Sequence, residues 1–217
     1  MTAQEIKQQK LAAILALAPV VPVVIIEDAS HAIPLARALV TGGIRAIEVT
    51  LRTAAAMDAI RAIAAEVEGA VIGVGTVLDG DQLEAARRAG AHFAVSPGMS
   101  PRLLAAAHDN ELPLLPGVAT AGEAMSLLEH GYRHLKFFPA VAAGGQKLLA
   151  AWASPLPQIR FCPTGGISLA SAPDFLALPN VICVGGSWLT PANKLASGDW
   201  SAIELLAREA AGLRQMQ

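Results

Sequence analysis

Short apolar runs rich in valine and isoleucine alternate along the chain with longer stretches where alanine and leucine recur at helical spacing. The short runs span 20–26, 44–50, 70–75, 92–96, 112–116, 134–138, 159–164 and 181–185. Each is brief and ends in turn formers such as glycine, proline or serine, the pattern of a strand closed by a loop. Helices are expected over 33–40 after a possible cap at Ser30, over 54–67 after Thr53, over 81–89 up to Gly90, over 102–110 from Pro101, and over 124–130 up to Gly131. An amphipathic helix is also expected at the start, where Gln4, Glu5, Gln8 and Gln9 interrupt the apolar positions.

Eight strands, each followed by a helix, predict an α/β fold: a single (β/α)8 barrel of the TIM type with an N-terminal helix, one domain over residues 1–217. A doubly wound open sheet is the alternative. No low-complexity linker or shift in composition marks a domain boundary, and Pro155-Leu156-Pro157 reads as a short rigid connection.

Composition narrows the classes. Apolar residues make up 53% and charged residues 16%, enough for a large core and too apolar for disorder. Aromatics are only 4%, as suits parallel strands covered on both faces by aliphatic side chains. A net charge of -2 supplies no basic field for nucleic acid or anionic lipid. Lys7 and Lys10 before the apolar stretch from Leu11 to Ala18 resemble a secretion signal, but the interleaved glutamines, Pro19 and the following strand argue against one. Pro19, Pro22 and Glu27-Asp28 break any span of membrane length. Cys162 and Cys183 read as small buried residues on adjacent strands, which fits a reducing cytoplasm.

In a barrel of this kind, chemistry sits at the C-terminal ends of the strands and in the loops that follow. Of five lysines, only Lys136 lies inside a strand; Lys7, Lys10, Lys147 and Lys194 fall in helical or loop segments and need no special account. A lysine within a strand must point into protein, where it is either half of an ion pair or a nucleophilic amine, because burial favours the neutral, attacking form. Strand alternation puts Ala46, Glu48 and Thr50 on one face, with Arg52 in line beyond them. Glu48 and Arg52 are either a structural pair or a proton carrier and a fork for a substrate carboxylate. Gly165-Gly166 follows the seventh strand and Gly185-Gly186-Ser187 the eighth, where such barrels bind phosphate; tight turns are the plainer explanation. Thr76 at the end of the third strand either binds a carboxylate or caps a turn, and Pro97 ends the fourth. His31, His92, His108, His130 and His134 lack metal-ligand spacing, and no dinucleotide or Walker motif is present.

Five segments resemble the bacterial 2-keto-3-deoxy-6-phosphogluconate (KDPG) aldolases, some of which also act on 4-hydroxy-2-oxoglutarate. They are Glu48-Val-Thr-Leu-Arg52-Thr, Gly75-Thr76-Val, Ser96-Pro97-Gly98, Leu135-Lys136-Phe-Phe-Pro139 and Phe161-Cys-Pro-Thr164-Gly-Gly-Ile167, in matching order from about Ile14 to Ser187. The resemblance implies Lys136 as the Schiff-base lysine and Glu48 as general acid/base acting through a water. It implies Arg52 and Thr76 for the pyruvyl carboxylate, Pro97, Phe138 and Thr164 around the pocket, and Gly165, Gly166 and Ser187 for the phosphate. It further implies a homotrimer and a small keto-acid phosphate as substrate, with no metal or organic cofactor. Val141 departs from the family, which commonly has an acidic residue there. The related 2-dehydro-3-deoxy-6-phosphogalactonate aldolases differ at the lysine strand and at the Pro-Thr-Gly-Gly segment. A metal-dependent aldolase or phosphosugar epimerase on the same barrel, and a non-catalytic sugar-phosphate sensor, are the rival classes.

Overall fold

The computed structural model describes residues 1–213. Nine strands run β1 (Val20–Val24), β2 (Ala46–Thr50), β3 (Val71–Gly75), β4 (Phe93–Val95), β5 (Leu114–Leu115), β6 (Gly117–Val118), β7 (His134–Phe137), β8 (Arg160–Pro163) and β9 (Val184–Gly186). Ten helices accompany them: α1 (Ala3–Leu15), α2 (Ala32–Thr41), α3 (Ala56–Glu66), α4 (Gly80–Arg88), α5 (Pro101–Asp109), α6 (Ala121–Glu129), α7 (Gly145–Trp152), α8 (Ala172–Leu176), α9 (Ala192–Ala196) and α10 (Trp200–Ala211). The fold is α/β with a curled parallel sheet. Six strands pair in the order β5-β4-β3-β2-β1-β9 and three in the order β6-β7-β8.

The expected fifth strand is therefore two short ones. Pro116 separates them, and a proline in a strand interior has no N–H for the ladder. The expected eighth strand begins later than its apolar run, at Val184; Val181 makes only a lone parallel bridge to Phe161, and a second lone bridge joins Thr164 to Gly185.

Two helix starts differ from expectation. Asp28, not Ser30, caps the first turn, its carboxylate accepting from the Ser30 N–H, and α2 begins after it with no side-chain cap. Thr53 does not cap α3 either; its hydroxyl donates to the Ile26 carbonyl beyond the end of β1. Gly90 and Gly131 do follow their helices in the left-handed region, at φ 89° and 82°.

Alternation splits the core in two. Outward residues such as Ile47, Val49, Ile72 and Val74 pack under the surrounding helices. Inward residues Val21, Ala46, Phe93, Val95, Leu115, Cys162 and Cys183 form a second cluster together with Leu11 and Leu15 of α1. The N-terminal helix thus plugs the end where the strands begin and leaves the other end for chemistry. Both cysteines are buried.

The anchoring of α1 corrects the view of Lys7 as a solvated lysine. Its side chain is buried, and its Nζ donates to the carbonyls of Ala107, His108 and Asn110 at 2.8, 3.0 and 2.8 Å, satisfying the C-terminal end of α5. Next to it, Gln8 Oε1 accepts from the N–H groups of Arg133 and His134 at the start of β7. Among the described residues, no helix is long and apolar enough to cross a membrane.

Candidate active site

Above the inner apolar cluster the interior turns polar. Lys136 lies on β7 between Gly117 of β6 and Cys162 of β8. Both neighbours are small, so the long lysine side chain extends across the interior without obstruction. It meets Glu48, which β2 carries on its inward face two positions above Ala46. Lys136 Nζ donates to Glu48 Oε1 at 3.3 Å, and the two residues are only 4% and 3% exposed. The Phe138 ring lies on another side of the amine, its centroid 5.2 Å from Nζ. Phe138 precedes Pro139 through a cis peptide bond.

Arg52 and Thr76 come together in the loops after β2 and β3. Arg52 Nε donates to Thr76 Oγ1 at 3.4 Å, and the guanidinium is otherwise exposed. Thr76 is the one non-glycine described residue at positive φ, 62°. A β-branched residue held there costs of order 1–3 kcal/mol and concentrates at functional sites. The Thr50 hydroxyl donates to the Val24 carbonyl at 2.9 Å, and with Thr53 it ties the arginine loop to the end of β1.

Pro97 projects its carbonyl into the space that a side chain on Gly117 would fill, which sets it beside the lysine strand. Thr164 follows directly on β8, buried, with its hydroxyl donating to the Cys162 carbonyl at 3.3 Å. Gly165 and Gly166 follow at φ 104° and 78°, conformations that other residues adopt only under strain. Their loop is pinned to the one after β7: the Ala140 and Val141 N–H groups donate to the carbonyls of Thr164 and Gly165 at 2.8 and 3.1 Å. Val141, half exposed, packs against Gly166.

The second glycine pair is different. Gly185 and Gly186 lie within β9 at ordinary φ, and each is small because a neighbour occupies its side-chain space: Thr164 against Gly185, the Trp188 ring against Gly186. Packing alone accounts for them as glycines. Ser187, just beyond, is exposed. Among the described residues, no three His, Cys, Asp or Glu side chains gather as a metal site.

A family model for KDPG and KHG aldolases matches residues 11–206. The chain belongs to the KDPG and KHG aldolase family. The KHG/KDPG aldolase of Escherichia coli K12 is 54% identical over 197 residues, covering 91% of this chain and 92% of the relative. The KDPG aldolase of Zymomonas mobilis ZM4, solved with 3-phosphoglycerate, superposes with a TM-score of 0.91 at 47% identity, covering 95% and 97% of the two chains. The KDPG aldolase of Legionella pneumophila, solved with pyruvate captured as a covalent carbinolamine, superposes with a TM-score of 0.90 at 45% identity, covering 92% and 97%.

Within this fold, the two ends of the predicted constellation are separated by depth. The ion pair is deep; the arginine, the serine and the glycine loop are at the rim. Sequence reasoning named these residues but missed the ones that support them. The sequence places Thr50 at an inward position and Thr53 before a helix; their hydroxyls donate to the carbonyls of Val24 and Ile26 instead. Gly75 enters the sequence reading only as part of the Gly75-Thr76-Val motif, although a glycine inside a strand signals close approach by something else.

Proposed function

We propose that this family member reversibly cleaves 2-dehydro-3-deoxy-6-phosphogluconate to pyruvate and glyceraldehyde 3-phosphate as a class I, imine-forming aldolase, and that it also splits 4-hydroxy-2-oxoglutarate to pyruvate and glyoxylate. The observation that carries the reading is the buried Lys136–Glu48 contact at 3.3 Å in a chain of this family. The amine is the nucleophile, and the adjacent carboxylate lies where the proton of the substrate hydroxyl must go.

Lys136 attacks the C2 ketone to give a carbinolamine, which loses water to become a protonated imine. Glu48 then accepts the proton of the C4 hydroxyl. The C3–C4 bond breaks, its electrons pass into the imine, and glyceraldehyde 3-phosphate departs from an enamine. Reprotonation at C3 and hydrolysis release pyruvate and restore the amine. The imine acts as the electron sink, so the route calls on no metal or organic cofactor.

Arg52, with Thr76 beside it, receives the substrate carboxylate through its planar fork. Pro97, Phe138 and Thr164 wall the ketone end. Gly165, Gly166, Gly185, Gly186 and Ser187 hold the phosphate with backbone N–H groups and a hydroxyl. In the same reading the two sheets form one closed (β/α)8 barrel and a single domain. The Phe161–Val181 and Thr164–Gly185 bridges, and the continuity of the chain through Pro116, support the closure. We also assign a homotrimer and a cytoplasmic location, the latter in keeping with a chain whose two cysteines are both buried.

The test is incubation with pyruvate and borohydride followed by peptide mass mapping. A reduced pyruvyl adduct on the peptide that contains Lys136, lost in Lys136→Met, is the expected result. An adduct elsewhere, or none, rejects the mechanism.

A further inference from the structure

β3 presents two glycines, Gly73 and Gly75, to the interior, and neither has positive φ. The backbone there would accept any residue. What forbids a side chain is occupancy. The space of a Gly73 side chain is filled by the Phe93 ring from the neighbouring strand. That of Gly75 is filled by Glu48: a methyl group at position 75 would overlap its carboxylate oxygen and come within 2.7 Å of Cγ and 2.8 Å of Cδ. Glu48 itself pairs with Gly73, so its side chain rises along the barrel and lies across the bare strand one step higher. The overlap reaches Cγ and Cδ as well as the carboxylate tip, so a change in the last torsion alone cannot relieve it.

We propose that Gly75 is a positioning residue for the proton-transfer step: its missing side chain is the berth that holds the Glu48 carboxylate at 3.3 Å from Lys136. This rests on the assignment of Glu48 as proton carrier. Displacing a catalytic carboxylate by about 1 Å costs on the order of 100-fold in rate, while the lysine stays in place.

Gly75→Ala is compared with Glu48→Gln and with the double variant Gly75→Ala/Glu48→Asp, whose shorter side chain withdraws from the new methyl. Three quantities are read in each: kcat for aldol cleavage, exchange of pyruvate C3 protons with solvent deuterium, and borohydride trapping of pyruvate on Lys136. Gly75→Ala should lower kcat and exchange about 100-fold while trapping stays within about threefold. The aspartate should recover part of that loss, although Glu48→Asp alone slows the enzyme. Exchange left intact by Gly75→Ala overturns the proposal, as does equal loss of exchange and trapping without recovery by aspartate. If Gly75→Ala does not fold, folding of the double variant supports the proposal and its failure to fold overturns it. Full exchange in Glu48→Gln would instead withdraw the role of Glu48 itself, a result separable from the others.

Discussion

Lys136 and Glu48 stand 88 residues apart in sequence and on different sheets, yet their charged ends are 3.3 Å apart in a nearly solvent-free interior. Two charges so placed are costly to bury singly. Removing one partner of such a pair typically costs about 3–5 kcal/mol, because the other charge is left buried without compensation. The arrangement suits chemistry in which a proton must pass between an amine, a substrate hydroxyl and a carboxylate.

Glu48→Gln keeps the shape of the side chain and removes its basicity. Cleavage of the phosphorylated keto acid should fall by about 10²–10⁴-fold, with Lys136 still able to form a trappable adduct. Steady-state kcat beside the trapping yield checks this; a variant that turns over at the parent rate contradicts the assignment.

Arg52→Lys preserves charge but loses the fork. The KM for pyruvate in the aldol direction should rise about 10-fold, with a smaller change in kcat. An unchanged KM would move the carboxylate site elsewhere at the C-terminal ends of the strands.

Lys7→Met removes three hydrogen bonds from a charged donor to the end of α5. Unfolding free energy should drop by about 2–3 kcal/mol. Urea denaturation measures it, and kcat of the folded enzyme should not move, since Lys7 sits at the opposite end of the strands from Lys136.

His134 supplies a pH dependence. Burial holds its pKa below the usual value near 6.5, with the charges of Arg160 and Arg133 adding to the effect. The folded form therefore binds the proton less readily than the unfolded chain. Stability is full above pH 6.5 and is lost as pH falls from there through the lowered folded value. The carboxylates with lowered pKa values, among them Glu123 and Asp199, lose their contribution only at more acid pH. Urea midpoints at pH 7.5 and pH 5.5 should differ in the parent and converge in His134→Asn. Equal slopes in both would assign the loss to another group.

Much of this protein could be read from its residues in order. Local periodicity located the strands to within a few residues, because a two-residue alternation bounded by turn formers depends only on neighbouring positions. The singularity of Lys136 was legible for a similar reason: a lysine inside an apolar strand is an exception that needs a partner, and Glu48 supplies it. The motifs around Glu48, Arg52, Thr76 and Thr164 then made the family recognisable.

The tertiary structure decided whatever depends on residues distant in sequence. Pro116 divided a strand because it has no N–H to give a ladder, although its carbonyl accepts from the Lys136 N–H. Lys7 turned out buried because α5, about 100 residues later, ends where its amine reaches. Gly185 and Gly186, legible as a phosphate loop, lie in a strand and are small because Thr164 and Trp188 fill their side-chain space. Gly75 gained a meaning only once Glu48 was seen lying across it. Sequence determines which faces are apolar and which residue types are available, since those are local properties of the chain. Which side chain occupies a given volume inside a curled sheet is settled only when all the strands are in place, because each interior position is filled by whichever neighbour can reach it.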